Sequence, residues 1–511
     1  MAYRRIAFVA YEPWEVAIAH EFLEKLSTTE PDLECCLIVA DPYHPVNNAG
    51  WARLQDIAAS ASHRTEVVFR DFLAWQEDIP AARPDDINRR LENIVNSEKL
   101  ENLEALLESD PHLAPRERFP FYWPLTEAER RVAAALVIER VVEILDGVDP
   151  DVVVMMWDQY LVKNVVGALA TNRNIDLRVF RRARYRDYLK LDYFFLPWDV
   201  HSAHSLEAPM KKAGLRDELE SFGNTLYPQN LAAQEESFIE LCHSRPLAAA
   251  RKTLRRGWNA QRKRFRRRSR KHRGQETKEV RYWKSRAKRV QIFITLRVFR
   301  NLRYIIDRKT LATAPRIPEN FIMVPLHFRP ESAVLTQGYG IEDDDVVEAV
   351  AKALSKAGSN MACVVLEHPS MIGDRRYGFY RKLKSLGNVV IADPVIPTQD
   401  LVRKAKGLVT ISGTVGLEAS IAGIPVHVAG FPEFVGAIES HGFDAIESFV
   451  IACVAEKAPV SRESVLSYLE RHCYDGWQGD LGWSAVRSRE ATEATVNTLV
   501  DMFHASRSKS G

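Results

Sequence analysis

Between residues 320 and 430, short apolar runs rich in β-branched residues alternate with stretches of helical period. The runs are Phe321 to Leu326, Cys363 to Glu367, Val389 to Ala392, Gly407 to Ile411 and Pro425 to Val428. The helical stretches between them are 343 to 356, 376 to 386, 398 to 406 and 414 to 422. A run that is apolar throughout, rather than at every second position, suits a strand covered on both faces. Strands that alternate with helices form a parallel sheet. This half of the chain therefore reads as a doubly wound α/β domain, and ligands of such sheets bind beyond the carboxyl ends of the strands.

The same rhythm opens the chain. A strand at Arg4 to Ala10 is followed by a helix from Trp14 to Leu26 and a strand at Leu33 to Ala40. Glu12 and Glu15 follow the first apolar run at once, so that run reads as a strand and not as a secretory signal. The pattern resumes with a helix at Glu127 to Leu145, a strand at Asp151 to Met156, a helix at about 160 to 171 and a strand at Leu177 to Phe180. The expected organisation is an N-terminal Rossmann-like domain over 1–204, interrupted by a polar helical insertion at about 45–125. A basic helical segment over 205–315 follows, then a second Rossmann-like domain over 316–460 and C-terminal helices over 461–511. At 511 residues the chain is too long for one ordinary core.

Charge divides the chain unevenly. Residues 251–290 carry a net +17, which leaves −15 for the remainder of a chain whose total is +2. Trp258, Phe265 and Trp283 are interleaved with the basic residues. Such a segment suits an anionic membrane surface or a nucleic-acid backbone, and it could also pair with the acidic 45–125 stretch. Membrane attachment is preferred over nucleic acid. No stretch has the apolar length of a membrane-spanning helix, so the expected location is the cytoplasm, with attachment to the inner face of the membrane. Of the six cysteines, Cys35 and Cys36 are adjacent in an apolar run, and Cys363 and Cys453 are also among apolar residues. They read as buried free thiols of a reducing compartment. No Cys/His spacing suggests zinc, and no metal or cofactor is expected.

Three strand exits in the C-terminal half carry polar chemistry. The segment TISGTVGLEASIAGIPVHVAG, residues 410 to 430, turns from strand to helix through Ser412, Gly413 and Thr414. Gly413 allows close approach of a ligand. The helix start favours phosphate, and the two hydroxyls add donors. Glu418 lies one turn into the helix, within reach of a ribose hydroxyl. An N-capped turn with a surface glutamate would look the same. The segment LEHPSM, residues 366 to 371, places His368 and Pro369 at a second exit. PLHFRPE, residues 325 to 331, offers His327, Arg329 and Glu331 at a third, where an ordinary salt-bridged loop is the alternative.

Motif order sharpens this reading. Glu367-His368-Pro369-Ser370-Met371 with Gly373 and Arg375 is followed by Asn388-Val389 and Pro394. Then come Ser412-Gly413-Thr414, Gly416, Glu418-Ala419 and Gly423-Ile424-Pro425. The run resembles the capsule polysaccharide biosynthesis family, which contains GT-B glycosyltransferases related to the Kdo transferases of capsule assembly. The resemblance covers about 320 to 435 and does not take in the basic segment. It implies a GT-B-like fold of two Rossmann-like domains and a nucleotide-sugar donor, CMP-linked among the candidates. By the same resemblance His368 and Pro369 contact the nucleotide, Ser412 and Thr414 hold donor phosphate, and Glu418 contacts the nucleotide's sugar.

A sugar transfer with inversion also needs a carboxylate base. It is expected at a strand exit of the N-terminal domain, where Glu12 and Asp158 stand. Both also suit helix-capping or loop roles. The acceptor expected is a growing surface polysaccharide or its lipid-linked precursor. Three alternatives stay open: a nucleotide-sugar 2-epimerase, a CDP-glycerol-type glycerophosphotransferase on the same fold, and a non-enzymatic nucleic-acid-binding protein.

Overall fold

The computed structural model describes residues 3–11, 13–39, 61–68, 84–100, 103–108, 127–156, 161–182, 189–192, 216, 219, 302–303, 306–307, 310–311, 316–328, 337–338, 340–368, 371–373, 375–394, 396–473 and 477–508. The basic run 251–290 lies outside them, and so does Cys242.

Six strands form the first sheet: β1 (Arg5–Ala10), β2 (Glu34–Val39), β3 (Arg64–Val67), β4 (Val152–Met156), β5 (Asp176–Arg182) and β6 (Leu189–Asp192). Their spatial order is β3-β2-β1-β4-β5-β6. All neighbours are parallel except β5 and β6. Helix α1 (Pro13–Thr29) covers one face, where Phe8, Phe22 and Leu26 are buried. Helices α2 (Pro84–Ser97), α3 (Leu103–Glu108), α4 (Glu127–Val148) and α5 (Leu161–Asn172) serve the other, around Val9, Ile138 and Val166.

The second sheet comprises β7 (Phe321–Pro325), β8 (Ala362–Leu366), β9 (Val389–Ala392), β10 (Gly407–Thr410), β11 (Val426–Val428) and β12 (Ser440–His441). Its order is β12-β11-β10-β7-β8-β9, parallel throughout. Helices α6 (Asp343–Lys356), α7 (Phe379–Lys384) and α10 (Ile446–Val454) pack on one face. On the other face are α8 (Thr398–Val402), α9 (Val415–Ile421) and α11 (Arg462–His472). Counted from its own first strand, each sheet runs 3-2-1-4-5-6, the order of dinucleotide-binding domains. The fold is thus α/β with two doubly wound, GT-B-like sheets, and each sheet has one switch point, between β1 and β4 and between β7 and β10.

The final helix, α12 (Arg489–Ser508), does not stay with the second sheet. Its Val496, Leu499, Val500, Met502 and Phe503 enter the core of the first, beside Phe8 and Phe22. Charge also joins the halves. Glu433, beyond β11, lies 3.1 Å from Lys190 on β6 and 3.9 Å from Arg181 on β5.

One expectation is corrected. The stretch 45–125, read as a helical insertion, contains β3 as well as α2 and α3. The segment RTEV pairs with β2 on one side only and is at most half-buried. An edge strand of that kind has too little apolar content to announce itself. The five described cysteines, Cys35, Cys36, Cys363, Cys453 and Cys473, are buried free thiols. Among the described residues, no helix is long and apolar enough to cross a membrane.

Candidate functional site

The switch point of the second sheet holds a chain of buried polar groups. It begins at the exit of β10, where the Gly413 N–H donates to Thr410 Oγ1 at 3.1 Å. Thr410 Oγ1 lies 3.0 Å from His327 Nε2, and the Ser412 N–H donates to the same nitrogen at 3.3 Å. On the other side of the ring, Nδ1 lies 2.9 Å from Asp343 Oδ1, at the start of α6. One tautomer satisfies every partner: Nδ1 carries the proton and Nε2 accepts. The sequence offers His327 as a candidate cleft residue at the exit of β7. The residue is 8% exposed, and both ring nitrogens are engaged by the protein itself.

The chain continues through Arg375. Its Nη1 donates to Asp343 Oδ2 at 2.6 Å, and its Nη2 donates to the His327 carbonyl at 2.9 Å and to Glu367 Oε1 at 2.7 Å. Nε completes a bidentate pair with Glu367 Oε2 at 2.9 Å. Glu367 also accepts the Tyr380 hydroxyl at 2.7 Å and the His368 N–H at 2.7 Å. Burial, with the Glu367 charge, pushes the Tyr380 phenol well above its ordinary value. One guanidinium therefore locks together the exits of β7 and β8 and the first turn of α6. Bidentate Arg–carboxylate geometry fixes direction as well as charge.

Above this floor the groups change character. Ser412 is buried, and Thr414 and Glu418 are half-buried. The two hydroxyls and the Glu418 carboxyl meet no hydrogen-bonding or ionic partner among the described residues. Burial alone pushes the Glu418 carboxyl up to about 7. The turn thus has two layers. Two of its amides are already consumed by Thr410 and His327, while its side chains are left for something else. Helix α9, only seven residues long, offers a correspondingly confined dipole.

Gly413 is small for an internal reason as well. A Cβ there would lie 2.9 Å from Thr410 Oγ1 and 3.3 Å from His327 Nε2. At Gly430, after β11, a Cβ would lie 2.4 Å from the Gln337 carbonyl oxygen and 2.9 Å from that of Ile411. Both oxygens belong to backbone that Gly430 and Phe431 hold by hydrogen bonds. Gly430→Ala should therefore cost about 1–3 kcal/mol, to be read from the urea midpoint.

At the neighbouring exit of β8, His368 is half-buried, and its ring centroid is 5.3 Å from that of Phe328. Pro369 and Arg329, like Glu331, lie outside the described residues. So do both base candidates, Glu12 and Asp158. What flanks them is described. Glu15 Oε2 accepts the Tyr11 N–H at 2.7 Å, and Lys163 donates to Glu15 Oε1 at 2.6 Å and to the Met156 carbonyl at 2.5 Å. The Lys163 side chain is 0% exposed. This pair bridges the exits of β1 and β4, at Tyr11 and Met156, at the other switch point.

Sequence reasoning missed Glu15, Lys163, Asp343 and Thr410. It named Glu367 and Arg375 only as members of the motif run. A lysine inside LVKNVVGALA, where only Asn164 is also polar, was the one local signal of a buried ion pair.

A search among curated proteins finds no match. Among solved structures, the UDP-GlcNAc 2-epimerase of Neisseria meningitidis bound to UDP-GlcNAc is 12% identical; the match covers 97% of this chain and 100% of that one, with a TM-score of 0.24. The UDP-GlcNAc 2-epimerase of Methanocaldococcus jannaschii, in complex with UDP-GlcNAc and UDP, is 12% identical over 90% and 97%, with a TM-score of 0.27. The beta Kdo 2,7 transferase of Thermosulfurimonas dismutans is 12% identical over 65% and 88%, with a TM-score of 0.26. Similarity at this level concerns the fold alone. Family comparison reaches further upstream than the motif run, because its match begins before the basic segment. The resemblance carried by residues 366–425 thus extends over 225–437, which match the family described as capsule polysaccharide biosynthesis protein.

Proposed function

We propose that this protein is a GT-B-type glycosyltransferase that moves a sugar from a nucleotide-sugar donor to a surface polysaccharide or its lipid-linked precursor. One observation carries the reading. Among the described residues, the Ser412 and Thr414 hydroxyls and the Glu418 carboxyl meet no protein partner, beside a switch point where His327, Asp343, Arg375 and Glu367 are bonded to one another. Hydroxyls suit phosphate oxygens, and a carboxylate suits the diol of a ribose. The family match over 225–437 supports the same donor class.

In this reading, His368 and Pro369 hold the nucleotide, with Arg329 adding positive charge and His327 fixing the turn from below. The leaving phosphate is stabilised by the hydroxyls of Ser412 and Thr414. The base is Glu12 or Asp158. The transfer is metal-independent, and the enzyme works in the cytoplasm. The basic run 251–290 attaches it to an anionic membrane surface, where a lipid-linked acceptor would be met.

The test is calorimetry with CMP, CDP, UDP and GDP, on the wild type and on His368→Ala. Selective binding of one nucleotide, weakened about tenfold or more in the variant, is the expected result. Absence of binding to all four would overturn the donor site. Tight, salt-sensitive nucleic-acid binding in its place would favour the non-enzymatic alternative.

A further inference from the structure

The first sheet carries a second cluster, remote from both switch points. His20 and Glu24 lie four positions apart on α1, so they share one face of the helix. His63 immediately precedes β3. His20 Nδ1 and His63 Nε2 are 2.8 Å apart, and Glu24 Oε1 is 3.9 Å from the first and 3.8 Å from the second. A triangle with those edges has a point about 2.1 Å from every corner, which is the length of a zinc–imidazole or zinc–carboxylate bond. Among the described residues this is the one group of three potential ligands drawn so close.

The surroundings aim the ligand atoms. The His63 side chain is fully buried, and its Nδ1 faces the Arg64 carbonyl at 3.4 Å, which leaves Nε2 turned toward the point. A second ring nitrogen held by a backbone carbonyl is the usual support of a metal-bound histidine. Glu24 Oε1 accepts the Ser62 N–H at 2.7 Å, and this bond orients the carboxylate while leaving it a further lone pair.

We propose that His20, Glu24 and His63 form a binding site for a divalent cation of the zinc type, with water completing the coordination. Two imidazoles and one carboxylate suit zinc and its transition-metal neighbours, whereas calcium and magnesium take oxygen ligands. His63 stands at the amino end of its strand, opposite the ends where ligands of such sheets bind. The ion is therefore a staple and takes no part in the transfer. It ties α1 to β3, a four-residue edge strand whose only strand partner among the described residues is β2.

The full-length protein, stripped with a chelator, would be titrated with Zn2+ against a chromophoric competitor while its melting temperature is followed. The expected result is one high-affinity equivalent, a higher melting temperature and no response to Mg2+. Co2+ should give the intense visible absorption of a four-coordinate site. His20→Gln and Glu24→Gln alter half-buried positions on a helix surface, and circular dichroism checks that each still folds. Each should weaken Zn2+ binding about tenfold or more and abolish the Co2+ spectrum. A wild type that binds no Zn2+, or variants that bind it as tightly as the wild type, would overturn the proposal.

Discussion

Replacing Glu418 by Gln should make the protein more stable at pH 8 while removing much of its nucleotide affinity. The carboxyl is pushed up to about 7 by burial, and among the described residues no charge offsets that shift. Its ordinary value is near 4.5. A carboxyl raised on folding contributes stability that is complete below the unfolded value and is lost as the pH climbs through the folded one. For a shift of this size the loss is about 3 kcal/mol at most. At pH 8 the wild type bears that cost and the glutamine variant does not, so the variant gains up to this amount. At pH 4.5 the two should be nearly equal. Urea unfolding at both pH values measures the difference.

The binding side has the opposite sign. If the ionised carboxylate accepts hydrogen bonds from a ribose, wild-type affinity rises between pH 6 and pH 8. The glutamine variant loses about 1.5–3 kcal/mol, the worth of hydrogen bonds to a charged group. A position that lowers stability and raises affinity is characteristic of a site kept for its ligand. A variant that is less stable at pH 8, or that binds as well as the wild type, would remove Glu418 from the site.

Arg375→Met should be the most damaging single change in the second sheet. It leaves Asp343 and Glu367 as buried carboxylates and takes a donor from the His327 carbonyl. Removing one partner of a buried ion pair costs about 3–5 kcal/mol, mostly through the charge left behind. Arg375→Lys should recover only part of this, because an ammonium cannot reproduce the fork that meets Glu367 through two nitrogens. Adding Asp343→Asn and Glu367→Gln to Arg375→Met should return much of the lost stability. Urea midpoints of the series decide it, and a loss below about 1 kcal/mol in Arg375→Met would mean that the charges are solvated.

The parallel sheet around β7 to β11 was legible because its strands are covered on both faces, which forces unbroken apolar sequence. Val389–Ala392 falls where the pattern puts it, as does the helix at 343–356. β3 and β12 escaped for the converse reason: one is a half-exposed edge strand and the other only two residues long. The unpartnered groups Ser412, Thr414 and Glu418 could be named because each lies within a few positions of a strand end. The floor beneath them could not. Thr410, His327, Asp343 and Arg375 are up to 83 positions apart, and only the order of the strands brings them together. His20 and His63, separated by 43 positions, were hidden in the same way.

The path of α12 has a consequence for how the molecule is made. Its apolar residues complete the core of the first sheet, although they are synthesised after every element of the second. Chains usually fold in the order in which they emerge from the ribosome. Here the second sheet has its covering helices once residue 472 has emerged, while one face of the first still lacks Leu499 and Phe503. The amino-terminal half must wait with an open apolar face, so the half translated later is the first that can close.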